Sequence, residues 1–438
     1  MSVREQAFGS WPQSRVRTAI ETLKSGGGSE GKVLTGSVVM LAGSVLVSLA
    51  NFGYNIGVAH LLGPGDFSQA AAAVTLLMLA SCINLAYQLV TAKLIAKAAL
   101  PGERAAAYRF LMRRAWLTGM LLSAFFVGAS RWIAAYLRMP SPTLVVLLGL
   151  GMLFYIPLGV RRGGMQGTCR FLRLSLNLAA EAFVKLVAAI VLVLGGAGVM
   201  GAVGAISLSV FAAFLLPTGD GELRQNATLH QAGSFLEGIQ AIIFFVGQVI
   251  ISNVDILMVK HYFAPSEAGI YAAVALVGRL LYFATWSVTS AMFPISAGSQ
   301  AESDSRRVLV VPLLFVAGLS TVFVVFLGSF PGLVIRTLFG SDFHPAGAGV
   351  EQLLAMNAVA TAVYAVCVVL ITYEMSRRIA NTGWLQLVVS LLIVVSVAIF
   401  HASLMQVIVV QQVLRCLLLL AVSIPFFRHV PRLGQEAV

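Results

Sequence analysis

Apolar runs of about 20 residues recur along this 438-residue chain and are separated by short polar connections. A helix of about 20 apolar residues can cross the hydrocarbon core of a bilayer, where only helices and closed barrels satisfy their own backbone polar groups. About twelve such runs are present, at 35–57, 69–92, 115–130, 143–160, 175–194, 198–216, 238–258, 270–293, 309–329, 350–372, 382–400 and 404–426. The sequence therefore predicts an all-α integral membrane protein with about twelve transmembrane helices.

The composition agrees with a membrane protein and leaves no room for a separate catalytic domain. Hydrophobic residues make up 59% of the chain and charged residues 11%, whereas a soluble domain carries about 25% charged residues. The connections between runs are short, the four cysteines form no CxxC pair, and the histidines form no HxxxH motif. We therefore expect a protein that is not an enzyme and that holds no metal and no cofactor.

Lys and Arg residues are distributed unevenly between alternate connections. One set of connections, together with the chain ends, contains most of the 29 basic residues, including Arg161 and Arg162 in a predicted loop after the fourth run. The other set contains only Arg131, Arg138, Lys260 and Arg336. Cytoplasmic loops retain Lys and Arg, so both termini are predicted to be cytoplasmic. The net charge of +12 thus reflects topology and attraction to anionic lipid headgroups, and gives no reason to expect nucleic-acid binding.

A segment of the first half is repeated in the second. Residues 58–74 read VAHLLGPGDFSQAAAAV and residues 259–275, 201 positions later, read VKHYFAPSEAGIYAAVA. Each copy joins the first and second apolar runs of its own half, as expected of a transporter built from two related halves. An even number of spans separates the copies, so the halves share one orientation in the membrane and form a parallel repeat. The predicted domains are a cytoplasmic tail at 1–32, a six-helix lobe at 33–217, a linker at 218–235, a second six-helix lobe at 236–427 and a tail at 428–438.

Several predicted spans carry polar residues at helical spacing, where a charged side chain costs about 2.5–3.5 kcal/mol at the bilayer centre. These residues lie three or four positions apart and therefore share a helix face. The stripes include Asn51 and Asn55 in the first span, Glu181 and Lys185 in the fifth, Asp255 in the seventh, Arg279 in the eighth, Asn357 and Tyr364 in the tenth, and Arg415 in the twelfth.

Each stripe has a structural and a functional interpretation. Amides and small residues commonly join helices in membranes, and Glu181 and Lys185 could neutralise each other along one helix. Asp255 lies near a span end, where it could be hydrated or could bind a coupling cation. Arg279 has no acid three or four positions away on its own helix, so its partner is either another helix or a ligand. The same alternatives apply to Arg415.

The repeat region also resembles a known family. The stretch NVDILMVKHYFAPSEAGIYAAVALVGRLL at 253–281 resembles the start of the second half of polysaccharide flippases in the multidrug, oligosaccharidyl-lipid and polysaccharide exporter superfamily, the MOP superfamily. AHLLGPGDFSQAAAAVTLL in the first half and GVRRGGMQGTCRFLRLSLN after the fourth run are similar to further segments of that family. The chain departs from the family at Ser68, where Gly is usual, and in lacking the two further spans that many members have.

The resemblance implies two six-helix lobes around a central cavity and a role in cell-surface polysaccharide synthesis. Such a protein would move undecaprenyl-pyrophosphate-linked saccharide to the external leaflet of a bacterial inner membrane by alternating access, with membrane lipid, a polysaccharide polymerase and a chain-length regulator as candidate partners. On this interpretation Arg279, Arg415 and Lys185 bind the diphosphate. Asn51, Asn55, Asn357 and Tyr364 contact the sugar, and Asp255 or Glu181 binds a proton or Na⁺. The alternative is a cation-coupled multidrug antiporter of the same superfamily, for which we would expect a cavity richer in carboxylates.

Overall fold

The structure, a computed structural model, describes residues 29–98, 100–217, 219, 223, 236–298, 302–344, 349–377 and 382–428. Within these residues the regular elements are helices. The predicted tails lie outside the described residues, apart from 29–32 and Arg428, and so does most of the predicted linker at 218–235. Residues 29–32 are helical, so the first helix begins at Ser29, before the predicted end of the tail at residue 32.

The first lobe begins with one helical stretch, Ser29–Lys97, that is broken in its middle. Gly63 adopts φ 72° and ψ 174°, a left-handed conformation that favours glycine, and Pro64 follows it. The stretch is therefore two helices, α1 (29–62) and α2 (64–97). The remaining helices of this lobe are α3 (Pro101–Gly128), α4 (Ser130–Tyr136), α5 (Thr143–Gly167), α6 (Phe171–Leu192) and α7 (Gly198–Leu215).

The second lobe repeats the order of long and short helices. It contains α8 (Leu236–Tyr262), α9 (Pro265–Gly298), α10 (Glu302–Ser329), α11 (Pro331–Phe339), α12 (Val350–Arg377), α13 (Thr382–Ile399) and α14 (Leu404–Arg428). The short helices α4 and α11 both follow the third long helix of their lobe. The starts of α4 and α11 lie 201 positions apart, as do the ends of α3 and α10. The predicted internal repeat is confirmed, and its register extends well beyond the recognisable motif.

The described helices account for the twelve predicted spans. Eight stretches of the described chain are long and apolar enough to cross a membrane. Two of them, Ala42–Lys97 and Phe171–Leu215, each contain two helices joined by a tight turn. Adding α8 and the shorter apolar helix Gly383–Ile399 within α13 gives twelve. The protein is a multi-pass membrane protein.

Several helix ends differ from the predicted runs, and two of these differences change the environment of basic residues. Helix α3 begins at Pro101 instead of residue 115, and α5 continues to Gly167 instead of ending at residue 160. The placement of Arg161 and Arg162 in a loop was therefore wrong, because both lie inside α5 and are only 6% and 4% exposed. A basic pair was taken as the end of the span, but polar groups from neighbouring helices bind these side chains.

The two copies of the repeated motif meet in space. They form the α1–α2 and α8–α9 turns, which lie at the end of the molecule that also carries α4 and α11; this end is called the turn end below. A methyl group built on Gly269 would lie 1.8 Å from the carbonyl oxygen of Pro64. Since that contact is with backbone, only glycine allows the turns to approach so closely. Lys260 adds a hydrogen bond between the lobes, from its Nζ to Ser68 Oγ at 2.7 Å.

Aromatic contacts close the turn end further. Phe67 of α2 packs against Phe339 and Phe343 of the second lobe, with ring centroids 6.3 and 5.7 Å apart. The His261 ring stacks on Tyr136 of α4 at 4.0 Å. Both contacts join one lobe to the other, so the structure represents a conformation in which the lobes are held together at the turn end.

Candidate functional site

Four helices of the second lobe, α8, α9, α12 and α14, enclose a polar cavity of about 30 Å³. A volume of this size holds about two water molecules. Its walls include five of the residues predicted from the sequence, together with Ser252, Tyr282 and Thr361. The five are Asp255, Arg279, Asn357, Tyr364 and Arg415. The structure therefore brings together polar residues from four different helices that the sequence had placed only on separate stripes.

A hydrogen-bonded chain crosses the wall of this cavity. Tyr271 donates its hydroxyl to Asp255 Oδ2 at 2.8 Å and accepts a bond from Gln411 Nε2 at 2.8 Å. Gln411 Oε1 in turn accepts a bond from Arg415 Nη2 at 2.9 Å. The chain links the acid of α8 to the base of α14 through two neutral side chains. Sequence analysis missed Tyr271, although it lies in the repeated motif at a position that is Ala70 in the first copy.

Arg279 differs from Arg415 in how its guanidinium is bound. Arg415 Nη2 has two protein acceptors, Gln411 and the Ile251 carbonyl, and the guanidinium lies over the Tyr364 ring at 5.7 Å, although Arg415 Nε is buried without a partner among the described residues. The Nε and Nη2 atoms of Arg279 are buried and have no hydrogen-bond partner among the described residues. Asp255 attracts Arg279 electrostatically, but its two oxygens already accept bonds from Tyr271 and the Ile256 amide. Buried donors of this kind are rare, so two of them on one residue that lines a cavity need an explanation.

A glycine sets the distance between α9 and α12 at this cavity. A methyl group on Gly278 would lie 2.7 Å from Thr361 Oγ1 and 2.8 Å from Asn357 Nδ2. Asn357 also donates to the Val274 carbonyl at 3.0 Å. The amide of Asn357 therefore joins α12 to α9. This is the helix-joining role that amides commonly have in membranes, and it was one of the two interpretations of the polar stripe on this span.

The predicted residues of the first lobe form a separate cluster. Lys185 of α6 donates to Asn51 Oδ1, and its Nζ lies 5.1 Å from the centre of the Tyr54 ring. Asn55 donates to the Asn51 carbonyl at 2.8 Å. These contacts lie between α1 and α6, away from the cavity of the second lobe, so the structure divides the predicted binding residues between the two lobe interiors.

Glu181 also has its partner inside the first lobe. Arg162 Nη2 forms a short ion pair with Glu181 Oε2, and Arg162 Nε donates to Asn177 Oδ1 at 2.9 Å. Asn177 continues the network by donating to the Ala213 carbonyl at 2.7 Å. The hydrogen bonds of Glu181 and Lys185 go to different helices, although Glu181 still attracts Lys185 electrostatically. Sequence analysis also missed Arg162, whose only signal was a basic pair directly after an apolar run.

A groove of about 210 Å³ lies between the lobes, where α1 faces α9. Ser44 and Ser48 are its only polar lining residues within the described part of the chain, and the other linings are apolar or aromatic, among them Leu49, Leu280 and Phe283. Leu280 directly follows Arg279, so α9 separates this groove from the polar cavity of the second lobe. One helix thus borders both an apolar groove and a basic cavity.

The profile of a family described as polysaccharide biosynthesis protein matches residues 58–348, which is more than half of the chain. The chain belongs to this family. A comparison of its sequence with curated proteins found no match. The match spans the repeated motif in both lobes, the linker between them and the third long helix of each lobe.

Solved structures show the same fold at low sequence identity. An inward-facing multidrug resistance transporter of the MATE family superposes with a TM-score of 0.70 at 12% identity, covering 90% of this chain and 98% of that one. The lipid II flippase MurJ, in an inward closed conformation, gives a TM-score of 0.70 at 11% identity, covering 89% and 87%. A MOP superfamily transporter from Pyrococcus furiosus, described by a reverse polarity of its binding pocket that suggests a different function, gives 0.59 at 14% identity, covering 90% and 95%. At these identities the comparisons show that this chain shares its fold with membrane transporters of the MATE family and with MurJ.

Proposed function

We propose that the protein moves a polyprenyl-pyrophosphate-linked oligosaccharide from the cytoplasmic to the outer leaflet of a bacterial inner membrane, for cell-surface polysaccharide synthesis. It does so by alternating access and without catalysing a reaction. The observation that carries this proposal is Arg279, which lines the cavity and whose buried Nε and Nη2 have no acceptor among the described residues. Pyrophosphate oxygens are strong acceptors for such donors.

The charge of the cavity favours an anion over a cationic drug. Two arginines line it and Asp255 is the single acid among its described lining residues. Both oxygens of Asp255 already accept protein hydrogen bonds. A cationic drug would have to displace Tyr271 to reach this carboxylate and would meet two positive charges nearby, so we favour the flippase over the multidrug antiporter.

The size of the cavity indicates that binding requires movement. A space for about two water molecules cannot hold a diphosphate together with a sugar. The helices around Arg279 must therefore separate when substrate binds, and α9 is the element that would connect this cavity with the space between the lobes. The groove between α1 and α9 is apolar and begins beside Arg279, so it suits a polyprenyl chain whose diphosphate is bound by that arginine.

The direction of access follows from the distribution of Lys and Arg. On the topology predicted from the sequence, the turn end faces the outside of the cell and the chain ends face the cytoplasm. The contacts of Gly269 and Lys260 then close the external side, which is the conformation expected to receive substrate from the cytoplasmic leaflet. Rocking of one lobe against the other would break these contacts and open the external side.

We propose Asp255 as the coupling residue and a structural role for Glu181. Protonation of Asp255, or cation binding to it, would weaken its bond to Tyr271 and, through Gln411, alter the position of Arg415. Glu181 is held by Arg162 in an ion pair, and no hydrogen-bonded path of the described residues leads from it to the cavity of the second lobe. The membrane potential is a further source of energy, because it contributes about 2.3 kcal/mol per charge per 100 mV.

The experiment is translocation of a fluorescent undecaprenyl-pyrophosphate saccharide in proteoliposomes. We expect Arg279→Gln to lower the initial rate at least about tenfold, the effect of losing one charge-assisted bond. Arg336→Gln is the matched control, because Arg336 is exposed on α11 and interacts with His344 at 3.4 Å. A wild-type protein that moves no glycan but drives ion-coupled efflux of a cationic dye would establish the antiporter instead.

A further inference from the structure

A second basic site lies on the surface of the first lobe, at the end of the molecule opposite the turn end. It is a groove of about 460 Å³ between α3, α5 and α7, and three arginines line it: Arg109, Arg113 and Arg161. Arg161 Nη2 donates to the Leu216 carbonyl at 3.0 Å, directly after the last residue of α7. The groove is therefore level with the end of a membrane-spanning helix, at the depth of lipid headgroups.

The floor of the groove is a rigid aromatic cluster. The Trp116 ring packs edge to face against Phe154 and Phe214, with centroids 5.8 and 5.5 Å away. The guanidinium of Arg161 lies 4.9 Å from the Phe214 ring centre. Just beyond the groove, Leu117 of α3 is 58% exposed, as expected of a surface that faces lipid. The groove thus combines a basic rim with an apolar floor that continues toward the bilayer.

The second lobe shows that the fold does not require these arginines. The register of 201 residues places Val310 opposite Arg109 and Leu314 opposite Arg113. Val310 and Leu314 are 39% and 66% exposed, so the equivalent face of α10 is an ordinary apolar surface. At these two positions only the first lobe has arginine, so the basic rim of the groove is a feature of that lobe and is not required by the fold.

We propose that this groove binds an anionic phospholipid of the surrounding bilayer. Its phosphate would lie between Arg109 and Arg113, with Arg161 at the base, and one acyl chain would lie along Trp116 and Phe214. Basic pockets between membrane helices are suited to anionic headgroups, since they add charge-assisted hydrogen bonds to the burial of the chain. The proposal concerns a site outside the transport pathway and does not depend on which molecule the protein transports.

The test is retention of phospholipid by the full-length protein in native mass spectrometry, with phosphatidylglycerol and phosphatidylcholine as probes. We expect wild type to retain phosphatidylglycerol selectively, and Arg109→Gln/Arg113→Gln to retain it about 30-fold more weakly, the effect of two interfacial arginines. Arg114→Gln is the matched control, because Arg114 is on the same helix and lies over Phe110 at 4.2 Å, outside the groove. If the double variant does not fold, the single variant Arg113→Gln replaces it in the test, because Arg113 is exposed.

Three results would overturn the proposal. The first is equal retention of phosphatidylglycerol by the double variant and by Arg114→Gln. The second is displacement of the lipid by polyprenyl pyrophosphate in wild type but not in the double variant, which would make the groove part of the substrate path. The third is equal retention of phosphatidylglycerol and phosphatidylcholine by wild type, which would mean that the charge of the headgroup is not recognised. A thermal unfolding temperature equal to that of wild type would show that the variants remain folded.

Discussion

The polar clusters of the two lobes use their charges differently. In the first lobe, Arg162 has an acid and an amide as partners, and the network continues to the end of α7. In the second lobe, the acid is occupied by Tyr271, and Arg279 keeps two buried nitrogens without an acceptor among the described residues. Arg162 of the first lobe is thus paired by protein groups, whereas Arg279 of the second lobe has two nitrogens that, on the proposed function, bind a ligand.

A similar difference appears where the lobes meet. The register of 201 residues places Ser68 opposite Gly269 and Ala59 opposite Lys260. At one pair of positions the second lobe supplies the glycine that allows backbone contact, and at the other it supplies the lysine that bonds to Ser68. The duplicated halves therefore have the same helices but different contact residues, and each contact needs one residue from each half.

The largest effect on stability is expected from Arg162→Gln. This change leaves Glu181 as a mostly buried charge without its ion-pair partner, and breaking a buried pair on one side costs about 3–5 kcal/mol. Chemical unfolding of the purified protein in detergent, followed by circular dichroism, would measure the loss. We expect most of the lost free energy of unfolding to come from the unpaired charge of Glu181, and less of it from the missing contacts of the arginine.

The double variant Arg162→Gln/Glu181→Gln tests that explanation. Two amides can bond to each other and leave no unpaired charge, so we expect the double variant to recover more than half of the loss. A double variant as unstable as Arg162→Gln would mean that the ion pair is not what joins α5 to α6, and the contrast between the lobes would then lose its basis.

The next effect in size is expected from Gly269→Ala. The added methyl group would lie 1.8 Å from the Pro64 carbonyl, so the turn end cannot close without backbone movement. Overpacking of this kind costs about 1–3 kcal/mol, which shifts a two-state equilibrium about fivefold or more toward separated lobes. Electron spin resonance distances between labels at Leu61 and Glu267, in a variant without the native cysteines, would show the shift as a longer distance.

Gly65→Ala is the control for this substitution. Gly65 lies in the equivalent turn of the first lobe, and a methyl group there would meet no atom within 4 Å. Its distance distribution should match that of the labelled parent. If both glycine variants gave the parent distribution, close contact between the two turns would not be what holds the closed conformation.

Much of this fold was predictable from the sequence, because hydrophobic length and charge distribution are determined by the membrane. The twelve spans and the duplication followed from apolar runs and from one repeated motif. The positions of the short helices were less predictable, although the connection containing α11 had the mixed apolar and polar pattern of an interfacial segment. Helix ends were predicted poorly where charges continue into a helix, as at Arg162, because the sequence does not show that Glu181 lies beside it.

The candidate site was predictable only in part for the same reason. Arg279 was recognised because no acid lies three or four positions away on its own helix, and in the structure two of its nitrogens have no acceptor among the described residues. Lys185 looked equally suitable, but α1 supplies Asn51 as a partner. Sequence periodicity identifies the face of a helix on which a residue lies. It does not show which other helix that face meets, and this decides whether a charge is already satisfied.

A smaller effect is expected from Ser68→Ala. The change removes the acceptor of Lys260 Nζ, which is buried and is also attracted by Asp66. A hydrogen bond of this kind contributes about 1 kcal/mol, so the lobes should separate about fivefold more often. The same spin-label pair would measure this, and Ser81→Ala, whose hydroxyl bonds within its own helix to Met78, is the control. An unchanged label distance in Ser68→Ala would show that attraction by Asp66 alone is sufficient to hold Lys260 at the contact between the lobes.

The smallest effect on stability is expected from Arg279→Gln, and this result would distinguish the two lobes most directly. An arginine that holds helices together, like Arg162, must destabilise the protein when it is replaced. Arg279 has two nitrogens without acceptors among the described residues, so its removal abolishes a desolvation penalty along with the charge. We expect the free energy of unfolding to change by less than about 1 kcal/mol, or to rise, while transport is lost. A loss as large as that of Arg162→Gln would mean that Arg279 stabilises the fold, and the second lobe would then hold its charges for structure as the first lobe does.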